Sequence, residues 1–184
     1  MNKKIGLILM PVLLAAVVFG LSACKSASEK AAEKLIEKST NGQADVDVSG
    51  NSVKVNTNSA SWETGDKISL PDGFPSDIYV VEGTIKTAVT SKTGSDYVVS
   101  LESTKSLNEV KALYDTKLKE NGWTITTSGA IAQSFSYLTE KADRTLNIGI
   151  SEADGKTIVT LTTFKKTAVN APATPDDNTN EGAG

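Results

Sequence analysis

The chain contains no histidine and a single cysteine, Cys24. Without histidine there is no Ser-His-Asp triad, no Cys/His zinc site and no side chain whose ordinary pKa puts a charge change near neutral pH. One cysteine excludes an intrachain disulfide framework. Aromatic residues make up only 5% of 184 residues, so a core must be built mainly from aliphatic side chains. No large basic block is present and the formal net charge is −3, which excludes a protein that grips DNA or RNA by neutralising phosphates. There is also no nucleophile elbow, P-loop or dinucleotide-binding glycine pattern. Most of the carboxylates Glu82, Asp96, Glu102, Glu140, Asp143, Glu152 and Asp154 fall at turns or at alternating polar strand positions, where a solvated face is their expected role. The sequence therefore offers no catalytic residue, no metal ligand and no cofactor site, and a non-enzymatic protein is expected.

The most specific pattern lies at the N-terminus. Asn2, Lys3 and Lys4 precede the uncharged apolar run from Ile5 to Leu21, as in an export signal. The run ends in Leu21-Ser22-Ala23-Cys24. This stretch resembles the lipobox of bacterial lipoproteins at every position: an aliphatic residue, two small residues and the cysteine to be modified. The resemblance implies cleavage between Ala23 and Cys24, with the Cys24 thiol carrying a diacylglyceryl group. Two acyl chains hold a protein at a bilayer without a spanning helix, since each buried methylene adds about 0.8 kcal/mol. The expected location is the extracytoplasmic side of the cell membrane or outer membrane. The expected partners are the membrane, through the anchor, and an envelope protein or small ligand, with no nucleic acid.

Five segments are expected: a signal peptide (1–23), the lipidated cysteine and a helical stalk (24–42), a β-hairpin with a polar connector (43–69), an α+β globular domain (70–166) and a disordered tail (167–184). In the stalk, Ser26 and Glu29 fit a capping box, Ala27, Ala31, Leu35 and Ile36 make a thin apolar stripe, and Asn41-Gly42 supplies a stop. Alternation in Asp45 to Thr57 around Ser49-Gly50 predicts a hairpin with Val46 and Val48 opposite Val53 and Val55. Asp45, Asp47, Ser49 and Gly50 also match the opening of a calcium loop. The rest of that motif fails, because Ser52 stands at the usual apolar position and Asn56 where a bidentate glutamate is needed.

Residues 70–77 (LPDGFPSD) form a stiff turn, and their Leu-Pro-x-Gly-Phe-Pro pattern resembles the lead-in to a compact α+β domain in small bacterial lipoproteins. Strands are predicted over Ile78–Thr90, Tyr97–Ser103, Trp123–Thr127, Ile131–Glu140, Thr145–Ser151 and Thr157–Phe164. Between the second and third, Ser106 and Glu109 repeat the capping-box spacing, and Leu107, Val110, Leu113, Tyr114 and Leu118 recur at helical intervals up to Asn121-Gly122. Gly122, Trp123 and Leu118 fit a Schellman ending, while Asp115 and Lys119 are expected to pair on the solvent side. The fold class expected is α+β: a curved antiparallel sheet on one main helix, in the order β-β-α-β-β-β-β, preceded by the stalk and hairpin. Gly149, on the strand face away from Leu146, Ile148 and Ile150, fits a bulge or close backbone approach, although plain tolerance at a less packed position is the commoner reason for such a glycine. Function is expected to be binding or scaffolding in the envelope. The alternative is a carrier or sensor of a small apolar or glycan ligand, with Trp62, Tyr79, Tyr97 and Tyr137 available to line a groove, and an envelope hydrolase is the lesser reading.

Overall fold

Period-two alternation dominates the sequence after Gly42, and each such run becomes a strand of one sheet. The computed structural model describes residues 30, 33–34, 37–38, 40, 42–66 and 68–166. Its strands are β1 (Ala44–Ser49), β2 (Ser52–Thr57), β3 (Ala60–Gly65), β4 (Thr84–Ser91), β5 (Tyr97–Ser103), β6 (Thr124–Ile131), β7 (Ser134–Lys141), β8 (Arg144–Ala153) and β9 (Lys156–Lys165). One helix, α1 (Leu107–Glu120), joins β5 to β6. The sheet order is β1-β2-β3-β4-β5-β9-β8-β7-β6, and all neighbours are antiparallel.

This topology corrects the expected fold class. The described residues form a nine-stranded antiparallel sheet with far more strand than helix. It is not a helix-packed α+β body in the order β-β-α-β-β-β-β behind a separate hairpin. The hairpin β1–β2 forms in the expected register, Val46 opposite Val55 and Val48 opposite Val53, but it continues through β3 into β4. β3 lies in the stretch read as connector. Its sequence ASWETG has one bulky apolar residue and all six positions are half-buried, so no alternation marks it. Backbone pairing holds it instead, with Trp62 opposite Val55 on one side and Val89 on the other. β4 starts at Thr84 and not at Ile78, because Ile78 and Val81 enter the core from an irregular segment. Gly83 ends that segment against the backbone of Glu102, where a Cβ would lie 2.3 Å from the carbonyl oxygen.

The registers place two apolar clusters on opposite faces of the sheet. On the inner face, Tyr137, Ile148, Leu161, Val99 and Ala88 form one row across five strands, and α1 with residues 74–81 covers this side. Past β4 that row becomes polar: Glu63, Lys54 and Asp47. The next row, on the outer face, runs the other way. Thr162, Val98, Val89 and Trp62 lead to Val55 and Val46, which with Ala44 make a second buried cluster. Lys30, Glu33, Lys34, Glu37 and Lys38 are helical, and Glu33 Oε1 accepts the Val48 N–H at 3.0 Å.

α1 is defined by its ends. Ser106 Oγ accepts the Glu109 N–H while Glu109 Oε2 accepts the Ser106 N–H at 2.9 Å, completing the capping box. At the far end Gly122 adopts φ 75°, its N–H reaches Lys119 O at 3.0 Å and the Trp123 N–H reaches Leu118 O at 2.8 Å, a Schellman ending. Val110, Tyr114 and Leu118 bury one stripe of the helix. The signal segment, Ala23 and Cys24, most of the stalk and the tail from 167 lie outside the described residues.

Candidate functional site

The irregular segment before β4 is fastened by Asp77. Its carboxylate accepts a bidentate pair from Arg144 (Nη1 3.0 Å, Nη2 2.6 Å) and a third bond from Lys141 Nζ at 2.7 Å. Lys141 also donates to Asn121 O at 2.7 Å, and Trp123 Nε1 donates to Asp77 O at 3.0 Å. The Arg144 guanidinium stands 5.2 Å from the Trp123 ring centre. The Arg144 hydrogen bonds outweigh partial burial, and with help from Lys141 they hold the Asp77 carboxyl down to about 2. This cluster clamps the C-terminal end of α1 to β7, β8 and the lead-in. Sequence reading missed it; the only trace is an acid at the end of the turn-rich 70–77 stretch.

Under α1 runs a seam of four rings. Tyr79 and Tyr114 meet edge-on at 5.6 Å, Tyr114 lies 6.5 Å from Tyr137, and Tyr137 lies 4.8 Å from Phe135. Phe135, half-buried, marks the outer end, with Lys111 Nζ at 4.8 Å from its centre. Asp115 accepts from Lys111 at 2.7 Å and from the Tyr137 hydroxyl at 2.8 Å. Burial opposes the Asp115 charge, but these two donors outweigh it and leave its carboxyl below the usual range. Asp115 therefore ties α1 to β7 through Tyr137, while its pair with Lys111, one turn earlier on the same helix, replaces the Lys119 pairing expected from spacing. Burial pushes the Tyr114 and Tyr137 hydroxyls up, so both stay neutral. The Tyr114 hydroxyl donates to Tyr79 O at 3.3 Å.

Two open hollows lie outside this interior. One of about 490 Å³ beside the start of α1 is lined by charged and polar groups, among them Lys105, Glu109, Glu152 and Lys156. The other, about 210 Å³, lies on the outer face, where Gly129, Ser136, Gly149 and Thr160 sit in register across four strands. Gly149 is paired without a bulge, and a Cβ there would meet nothing within 4 Å. Of the two explanations the sequence left for Gly149, the open space matches tolerance at a less packed position, and the bulge or close approach is not found.

The aromatic residues expected around one groove are divided. Tyr97 and Tyr137 are buried in the inner face, Tyr79 packs on that core, and Trp62 lies half-buried on the outer face. Tyr97 is held by its hydroxyl to Gly94 O at 2.8 Å and by Phe74 edge-on at 5.6 Å. Asp45 and Asp47 are exposed strand residues of β1, and Gly50 at φ 58° makes the hairpin turn. Among the described residues no group of three or more His, Cys, Asp or Glu side chains is placed to hold a metal ion.

A family described as START domain-like matches residues 81–158, which hold β4 to β8, α1 and the start of β9. The chain is similar to that family over the stretch that contains Tyr114, Phe135 and Tyr137. A search of curated proteins finds no match.

Proposed function

We propose that the chain is a lipid-anchored protein of the bacterial cell envelope whose body binds a small apolar ligand between α1 and the inner face of the sheet. The similarity to a START domain-like family favours the carrier over the scaffold among the readings drawn from the sequence. The observation that carries the proposal is the unequal fastening of α1 over the aromatic seam. At its C-terminal end the helix is locked by Asp77, Arg144, Lys141 and Trp123. Over its first two-thirds it is held by one hydroxyl, that of Tyr137, shared between Asp115 Oδ1 at 2.8 Å and Lys111 O at 3.2 Å, and by a Leu107 N–H to Glu152 contact of 3.4 Å. Side chains fill the seam, so ligand access requires α1 to pivot about its locked end and lift beside Phe135. Neutral tyrosines and Phe135 then offer an apolar wall, with Lys111 at its rim able to meet a polar end of the ligand. No residue acts covalently in this scheme.

Anchoring follows from the Leu21-Ser22-Ala23-Cys24 resemblance, with Cys24 modified and Ala23 preceding the cut. The test uses the full chain in detergent, titrated with a fluorescent fatty acid. Saturable binding is expected, weakened about tenfold or more by Phe135→Asp, a loss of at least about 1.4 kcal/mol. Gly149→Leu, which fills the outer hollow, is expected to leave it unchanged. Absence of binding, or loss through Gly149→Leu alone, overturns the assignment. In cells, Cys24→Ser is expected to shift the protein out of the membrane fraction once the signal is cleaved; retention there would refute the anchor.

A further inference from the structure

An edge strand presents unpaired N–H and C=O groups, and sheets protect such edges with charge, proline, bulges or a covering element. The two edges of this sheet differ. At β1, Glu33 covers the Val48 N–H, and Asp45 and Asp47 are exposed on the strand. β6 reads TITTSGAI, with no charge and no proline. All of it but Ile125 is exposed, and Ile131 is 80% exposed. Its only irregularity lies between Ile125 and Thr127, so among the described residues Thr127–Ile131 is a regular open edge. The outer-face residues behind it, Ser134, Ser136, Leu138 and Asn147, are also uncharged.

We propose that β6 pairs antiparallel with β6 of a second copy of this chain, about a two-fold axis at Gly129. The segment itself selects this occupant. An isologous contact needs a strand complementary to its own reverse, and Thr-Ser-Gly-Ala-Ile has β-branched residues at both ends, small ones inside them and glycine at the centre. Ile131 then faces Thr127 of the other copy and Ala130 faces Ser128, while at the axis two glycines meet with no side chain between them. The chain carries a net charge of −3, and this edge lets two copies approach without setting like charges opposite each other. Pairing also places the two outer hollows side by side across the axis. This contact is independent of ligand binding under α1.

The experiment uses the full chain in detergent. Sedimentation is expected to show a protein mass of two copies. Gly129→Lys sets two ammonium groups opposite each other and is expected to weaken the dimer by about tenfold or more, as is Gly129→Glu; mixing the two variants restores a dimer. Neither substitution meets a clash, since a Cβ at Gly129 has open space and its φ is not positive. Opposed Cα atoms lie about 4.5–5.5 Å apart in such a ladder, within disulfide reach, so Gly129→Cys is expected to cross-link to itself above the wild-type level. Asp154→Cys, on the β8–β9 turn, is not. A wild-type monomer, or a dimer indifferent to Gly129→Lys, overturns the proposal.

Discussion

Asp77 does more structural work than its position in a turn suggests, because one carboxylate links the lead-in to two strands and, through Lys141, to the end of α1. Its acidity is a measure of that role. The folded pKa of about 2 lies below the ordinary aspartate value of about 3.9. A depressed carboxylate pKa means that the stabilisation is fully present above the unfolded value and is lost as pH falls through 3.9 towards 2. At neutral pH the difference corresponds to about 2–3 kcal/mol. Asp77→Asn is therefore expected to lower unfolding free energy at pH 7 by about 1–3 kcal/mol. The gap to the wild type should narrow between pH 4 and about 2. Urea unfolding of both proteins across that range checks this, and a gap independent of pH would show that the charge contributes nothing. Sequence could not have disclosed the clamp, since Asp77 and Arg144 are 67 residues apart. Each alone reads as an ordinary surface charge.

Elements whose signals are local were legible. The capping box of α1 needs only Ser106 and Glu109, and the β1–β2 register needs only a two-residue turn between alternating valines, so both were readable from short windows. β3 was not. Its stability comes from neighbours on either side, and nothing within ASWETG records them. The seam under α1 was half legible for the same reason. Leu118 and Tyr114 follow the helical period, but Phe135 and Tyr137 are joined to them by sheet order, which no window contains. The ends of α1 give a ranked expectation. Ser106→Ala should cost about 0.5–2 kcal/mol, and Leu118→Ala about 2–5 kcal/mol because it also opens a cavity beneath the helix. Denaturant unfolding should be measured on chains that keep β1–β3, since β4 uses β3 as its partner. Equal, small effects would show that α1 is not packed as described.

For the whole molecule, the ladder is continuous while the apolar side changes between β3 and β4. The two tryptophans report on the two sides: Trp62 on the outer face of β3, Trp123 at the foot of α1 on the inner face. Because each strand shares hydrogen bonds with its neighbours through all nine, both sides are expected to unfold in one transition. Single-tryptophan variants, Trp62→Phe and Trp123→Phe, provide separate fluorescence readouts in urea. Coincident midpoints, after allowing for each variant's own stability, support one cooperative unit. A β1–β3 transition well ahead of the rest would show that the outer cluster is an independent module.

The order in which strands are laid down also decides how the molecule bears load. Chain and sheet run in step from β1 to β5, so a pull from the N-terminal side meets β1 at an edge and breaks its hydrogen bonds one after another, as a zip opens. β2 and β3 would follow in sequence before the strain reached β4. β9 is different, lying between β5 and β8, and force applied there would have to shear two ladders at once. Under a load applied on the N-terminal side, the first three strands are thus the ones expected to open first. Denaturant acts on every ladder at once, so direction of force, and not intrinsic weakness, is what would separate them from the rest.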